Sequence, residues 1–422
     1  MPAPPPVPPV VVIAGTEPRE FVDELLGEPV PGHSASAYVS LRHGPTGGQA
    51  WVPGHREPRE LTAEGPAGPP TRPPRRVVLT RDVPLLAFAH LVVAPATAAT
   101  TAGTEVLRDA VAHTDGLLYL LDAGVPLAPN QREELAAAVA VTPRLVMVDL
   151  RDAGDDDRAV LTRQVPALAG ATWMRAADLT GLRDLLTGWS RRTAEEVLAR
   201  ADDDPARTLA VGAVSVTDDD VRWRTALDRD LKVRADAVRQ RLAADLVALE
   251  SRCGGDPAAL PAVLDIELHA LSLRTSEALD RAARAGVRAV FEHVVDGPLA
   301  DHVLARVATA VRRQVDLDDR TLLVTATAGV AAVAGCGHAL SCTGIAGSAL
   351  LPPIGVAVSG NCHLMWRYRG VPDKAEGRRW LRQAVQSLER ELDRAVAERF
   401  ALLREAIEAL AADAIDHGVL LA

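Results

Sequence analysis

Up to about residue 200, short apolar runs alternate with segments whose apolar residues recur every three or four positions. The runs Val10–Ala14, Ala37–Arg42, Val77–Thr80, Leu91–Ala94, Leu117–Leu121 and Leu145–Asp149 predict strands. Thr104–His113 and Pro129–Val139 predict helices between them. Such alternation predicts an α/β layer fold around a largely parallel sheet. Pro53–Arg76 breaks the pattern with seven prolines and several glycines, and reads as a surface loop or flexible insertion.

Past about residue 200 the strand signal fades. Asp218–Glu250 predicts a helix, interrupted by Cys253-Gly254-Gly255-Asp256-Pro257, and two further helical stretches run to about Arg320. Near the end, Leu381, Val385, Leu388, Leu392, Val396, Phe400, Leu403, Ile407, Leu410 and Ala414 follow in steps of three or four, with Arg and Glu between. This is one long amphipathic helix. A bundle helix accounts for it; a coiled-coil seam needs a stricter heptad than this drifting spacing.

Between these regions, Thr321–Trp366 contains no Asp, Glu, Lys or Arg over 46 residues, in a chain that is 24% charged. A membrane span needs about 20 mostly apolar residues, so the length admits two spans. Seven glycines and Pro352-Pro353 weaken that case, and a shallow hairpin dipping into one leaflet fits as well. Arg312, Arg313 and Arg320 precede the stretch, and Arg367, Arg369 and Lys374 follow it. A hairpin brings both flanks to one membrane face, where anionic headgroups favour them. The expected membrane-contact residues are Leu340, Ile345, Leu350, Leu351, Ile354 and Val356. A buried Ala/Gly-rich helical hairpin within a protein core is the other reading.

Composition narrows the function classes. With 46 basic and 56 acidic side chains the net charge is -10, which disfavours nucleic acid as a partner. Cys253, Cys336, Cys342 and Cys362 show no CxxC pair or metal-ligand spacing. The start MPAPPPVPP has no basic segment followed by an apolar one, so a reduced cytoplasmic setting is expected. Asp152–Asp157 and Ala201–Pro205 are rich in Asp, and read as solvated loops or helix starts rather than cation sites. No GxSxG, HExxH, EF-hand or GxGxxG pattern appears.

Several phrases resemble the bacterial dynamin-like proteins, which are membrane-remodelling large GTPases. "FVDELLG" (Phe21–Gly27) is similar to that family's helix after the phosphate loop, and "AYVSLRHG" (Ala37–Gly44) to the strand after switch I. "VPLLAFAHLVVAPAT" (Val83–Thr97) resembles the strand pair leading into switch II. "HTDGLLYLLDAGVPLAPNQREEL" (His113–Leu135) resembles the strand and acidic turn that follow, and "RLVMVDLRDAG" (Arg144–Gly154) stands at the guanine-specificity position.

The resemblance implies an α/β G-domain-like N-terminal domain followed by a helical-bundle stalk with a hydrophobic hairpin acting as a membrane paddle. Its expected parts are a proline-rich N-terminus at 1–9, a degenerate GTPase-like domain at 10–200, a stalk at 201–320, the uncharged hairpin at 321–366 and a returning stalk helix at 367–422. The catalytic signatures are eroded. A phosphate loop needs GxxxxGK[ST], whose Lys neutralises phosphate and whose Ser/Thr holds magnesium. Gly15 matches its first glycine. Aligned on Leu25-Leu26-Gly27, Glu17, Pro18 and Arg19 stand where Gly, Lys and Ser/Thr belong. Switch I offers only Ser34 and Ser36. The D-x-P-G of switch II reads Val93, Ala94, Pro95 and Ala96, and [NT]KxD reads Asp149, Leu150, Arg151 and Asp152.

Gly15 and Asp152 are thus the vestigial nucleotide-binding residues, with no catalytic residue, no metal ligand and no cofactor expected. The resemblance implies a pseudo-GTPase at the inner face of the cell membrane, with membrane lipid as one partner. It also implies self-association, or association with a full-signature dynamin-like protein. A divergent active GTPase using GTP and magnesium, and a helical adaptor without membrane contact, are the alternatives.

Overall fold

The computed structural model describes residues 8–30, 37–53, 57–62, 65–66, 73–95, 100–112, 114–122, 125–142, 144–151, 155–189, 220–253, 260–291, 304, 306–311, 320–334, 349–369 and 373–417. They divide into two compact units, one N-terminal, through residue 189, and one C-terminal, from residue 220.

The N-terminal unit is built on a ten-stranded sheet. In chain order its elements are β1 (Val10–Gly15), α1 (Pro18–Leu26), β2 (Tyr38–His43), β3 (Gly47–Trp51), β4 (Arg59–Thr62), β5 (Gly65–Pro66), β6 (Arg76–Arg81), β7 (His90–Val93), α2 (Thr101–Ala112), β8 (Gly116–Leu121), α3 (Pro129–Val139), β9 (Leu145–Asp149), α4 (Asp155–Gln164) and β10 (Thr172–Arg175). A final helix, α5, covers 179–189. The strand order is β10-β9-β8-β1-β7-β2-β6-β3-β4-β5. β10, β9, β8, β1 and β7 run parallel, and β2 lies antiparallel to β7.

Sequence explains the centre of this sheet. All six residues of β8, Gly-Leu-Leu-Tyr-Leu-Leu, are buried, the continuous apolar run of a strand covered on both faces. Beyond β2 the signal weakens. β3 buries only Ala50 of its five residues, and β4 and β5 fall inside the stretch expected to be a loop. Short antiparallel additions at a sheet margin bury too little to leave an alternating pattern.

The C-terminal unit packs three long helices, α6 (Asp220–Cys253), α7 (Leu260–Phe291) and α9 (Lys374–His417), with the shorter α8 (Gly360–Arg369). The α9 stripe expected from sequence is buried from Leu381 to Leu410 in one core with Leu231, Leu242, Leu268 and Leu279.

The uncharged stretch differs from expectation. Its described parts are not a helical hairpin. They form β11 (Arg320–Val324), β12 (Val330–Ala334) and β13 (Gly355–Val358) in a three-stranded sheet of order β12-β11-β13, followed by α8. Among the described residues no helix is long and apolar enough to cross a membrane.

Candidate functional site

In open α/β sheets ligands bind beyond the carboxyl ends of the strands, where the chain switches from one side of a central strand to the other. Here that place is the end of β1. The chain builds β7 on one side of β1, then crosses through α2 to β8 on the other. The crevice is bordered by Gly15–Pro18, Val93–Pro95, Leu121-Asp122 and Asp149–Arg151.

Only Thr16 and Glu17 join β1 to α1, which is too little chain to wrap a phosphate. Gly15 has φ +104°, and a Cβ there would lie 2.0 Å from the Leu120 carbonyl oxygen. Its lack of a side chain therefore serves strand packing. Thr16 donates its N–H to that same Leu120 oxygen at 2.9 Å. Pro18, at the first position of α1, has no N–H to donate. Between them Glu17 holds a left-handed conformation (φ 48°, ψ 49°), its side chain exposed and not capping the helix. A carboxylate thus stands next to the position where the phosphate-loop pattern has its lysine, and it would repel phosphate. Arg19 is half-buried; burial lowers its pKa from the ordinary value, opposed by Glu20 and Asp23, and a guanidinium cannot ligate magnesium.

The Leu-Leu-Gly phrase is a helix terminator. Leu25 is fully buried, and Gly27 takes φ 78° and donates its N–H to the Asp23 carbonyl, a glycine C-cap. Arg183 of α5 donates from Nε and Nη2 to the Leu25 carbonyl at 3.0 and 2.7 Å, placing positive charge at the helix's negative end.

Of the residues matched to the switch II pattern, Val93 and Ala94 are buried, and the Ala94 amide donates to the Ile13 carbonyl at 2.8 Å. Ser34, Ser36 and Ala96 lie outside the described residues. Among the described residues no group of three or more His, Cys, Asp or Glu side chains is placed to hold a metal ion.

On the base side, adjacency of β8 and β9 creates a brace that sequence reading missed. Leu121 is in register with Asp149, so Asp122 and Arg151 follow side by side. Arg151 Nε lies 2.7 Å from Asp122 Oδ2. Asp149, only 1% exposed, accepts the Arg151 N–H at 3.2 Å and faces Arg158 of α4 at 3.9 Å. Leu150 packs on the core. The signal available was an Asp after one parallel strand and an Arg after its neighbour. Asp152 lies outside the described residues.

Among the described residues, the groups present do not fit a magnesium nucleotide. No lysine stands at the crevice border, one of the amides that could meet phosphate is spent on Leu120, and Asp122 and Asp149 face arginines.

The expected membrane-contact residues need correction. Leu350, Leu351, Ile354 and Val356 are each at most 2% exposed and belong to the core of the C-terminal unit. Three polar side chains spaced by four along α7 bind their backbone. Ser272 Oγ accepts the Val356 N–H at 2.9 Å, Ser276 Oγ accepts that of Ile354 at 3.3 Å, and Asp280 accepts that of Leu350 at 2.7 Å. From α9, Arg399 Nε donates to the Pro352 carbonyl at 3.2 Å. The absence of charge here serves burial against α7. Leu340 and Ile345 lie outside the described residues.

The chain matches no protein-family model and no curated protein sequence. Among solved structures it is similar to chains described as an oligomerised bacterial dynamin pair that provides a mechanism for long-range sensing and tethering of membranes. One shares 10% identity over 97% of this chain and 84% of its own, with a TM-score of 0.35. Another shares 11% over 97% of this chain and 69% of its own, with the same TM-score.

Proposed function

We propose that the chain is a dynamin-like pseudo-GTPase whose α/β unit keeps the strand framework of a nucleotide site without its chemistry. It acts as a membrane-associated scaffold, or as the partner of a dynamin-like GTPase with intact motifs, in bacterial membrane remodelling or septation. The observation that carries the first part is the β1–α1 junction, where Gly15, Thr16, Glu17 and Pro18 leave neither loop length nor cation for phosphate. Phosphoryl-transfer catalysis depends almost wholly on magnesium, a cation and oriented donors. With those groups missing, stabilisation of the transition state is lost rather than reduced.

Membrane association is supported by the uncharged sequence of 335–348 and by Lys374, Arg378 and Arg379, exposed at the start of α9. Leu350, Leu351, Ile354 and Val356 give it no support.

Isothermal titration with GTP and magnesium tests the pseudo-enzyme reading. No binding heat and no phosphate release are expected; micromolar binding with turnover establishes the divergent-GTPase alternative. Co-sedimentation with anionic liposomes tests the membrane part, and a chain that stays in the supernatant is a helical adaptor.

A further inference from the structure

In the three-stranded sheet of order β12-β11-β13, β12 is an edge strand, and no strand lies beyond it among the described residues. Its register on β11 sets Val330 opposite Val324, Ala332 opposite Leu322 and Ala334 opposite Arg320. The Thr325 amide donates to the Gly329 carbonyl at 2.8 Å, which makes those two a hydrogen-bonded pair. By alternation Leu323–Ala331 and Thr321–Val333 are the next such pairs. The Val324 carbonyl accepts from Ser359 on the β13 side, as the same alternation requires. The N–H and C=O groups of Val330, Ala332 and Ala334 therefore point away from β11. The other sheet edges are guarded. β5 is two residues long and contains Pro66, β10 carries Arg175, and on β13 the Ser272 hydroxyl takes the Val356 N–H. β12 reads Val-Ala-Ala-Val-Ala, with neither charge nor proline, and Ala331 and Ala332 are exposed. Such an edge is a template for another strand.

We propose that β12 pairs antiparallel with β12 of a second copy of the chain, about a two-fold axis through Ala332. This gives the proposed scaffold a surface for self-association, and rests on that reading for self-association alone. Outward donors and acceptors on alternate residues are answered by a strand, which a lipid surface cannot supply. The strand itself specifies its own copy as that partner. An axis at Ala332 sets Val330 against Ala334, Ala332 against Ala332 and Ala334 against Val330. Every outward N–H and C=O of the three residues is then paired. An axis at Ala331 or Val333 pairs only two of the three within the strand. Side chains choose the same register. With the axis at Ala332 each valine stands beside an alanine, Val330 beside Ala334 and Val333 beside Ala331, so large meets small across the seam. With the axis at Val333, valine meets valine. The two sheets join into one, and the pairing closes on itself.

The test is residue-resolved amide hydrogen exchange of the full chain, beside sedimentation equilibrium over the same concentrations. The wild type is expected to form a reversible dimer. The amides of Val330, Ala332 and Ala334 become protected only where the dimer forms, while those of Ala331 and Val333, bonded to β11, are protected throughout. Ala332→Pro removes the central donor and spares every bond to β11. Ala331→Lys places a charge beside Val333 of the second copy. Each raises the dissociation constant about tenfold or more, with the Thr321 and Leu323 amides still protected as the sign of an intact hairpin. A dimer whose Val330, Ala332 and Ala334 amides exchange as in the monomer overturns the edge and leaves self-association standing. Protection of those amides at every dilution overturns it as well, since the edge is then covered within one copy. Protection of only two of the three overturns the register. A chain monomeric at every concentration overturns both the pairing and self-association.

Discussion

Replacing Leu351 by Ala separates a core residue from a membrane-facing one. Leu351 is 2% exposed and sits in the core that joins α6, α7 and α9. The change removes three carbons, about 2.4 kcal/mol at ~0.8 per buried methylene. Incomplete collapse of the resulting cavity raises the loss to about 3 kcal/mol, inside the range for buried Leu→Ala. A residue waiting at the surface for lipid would cost within about 0.5 kcal/mol. Because the chain has two compact units, a whole-chain urea transition mixes two events. The stability is best read from urea-dependent hydrogen exchange of α7 and α9 peptides, with β8 peptides as the internal control. Loss of about 3 kcal/mol in α7 and α9 with β8 unchanged is expected. A near-neutral Leu351→Ala that also lowers liposome binding would refute the burial argument and return this residue to the membrane.

Gly15→Ala forces a Cβ to within 2.0 Å of a carbonyl oxygen at φ +104°, so it should lower stability by roughly 2 kcal/mol or more. Gly27→Ala meets nothing within 4 Å and pays only for φ +78°, about 1 kcal/mol; equal losses in denaturant titration would contradict the strand-packing role of Gly15. Glu134 accepts a hydrogen bond from Tyr119, and burial raises its pKa, only partly offset by that bond. An acid raised by folding contributes stability below its unfolded pKa and loses it as pH rises through the folded value. Glu134→Gln should therefore raise the melting temperature at neutral pH, with the gain vanishing in acid; a gain independent of pH refutes the assignment. The Cys253 thiol is pushed up to about 12, first by burial and then by Glu267, with Arg252 opposing. Iodoacetamide should modify it only after unfolding, as followed by peptide mass spectrometry, and rapid labelling of the native chain would show that it is accessible.

The middle of the α/β sheet was legible because its strands are buried on both faces. Val10–Ala14, Leu117–Leu121 and Leu145–Asp149 carry the fold in their composition alone. α3 and α9 were legible for a related reason, since the helical period survives wherever one face meets a core. The margin from β3 to β5 was not, because Gly47, Gly48 and Gln49 gain their strand conformation from pairing with β6 rather than from any preference of their own. At the candidate site, single residues such as Glu17 and Val93 could be read directly. The Asp122–Arg151 brace could not, because it depends on which strands are neighbours.

Within the uncharged stretch, Leu350–Val356 lies in a core rather than against lipid, for an instructive reason. A bilayer and a protein core both exclude unpaired charge, so the absence of Asp, Glu, Lys and Arg does not by itself distinguish them. Backbone demand does. A membrane segment must satisfy its own N–H and C=O groups internally, whereas Leu350–Val356 takes partners from Ser272, Ser276 and Asp280. Those three residues lie 70 to 84 positions away in sequence, on a helix whose own pattern marks them merely as polar. Their spacing by four was the usable clue. Buried hydroxyls and a carboxylate repeating on the core side of α7 require acceptors and donors to face them, and an extended segment with open amides meets that need. The same logic explains why β13 tolerates a sheet edge without guarding charges. β11 pairs one edge, and on the other the Ser272 hydroxyl accepts the Val356 N–H, which occupies the middle of the edge a partner strand would need. Charge on this segment would have to be buried against α7, and its absence follows from the packing without appeal to lipid.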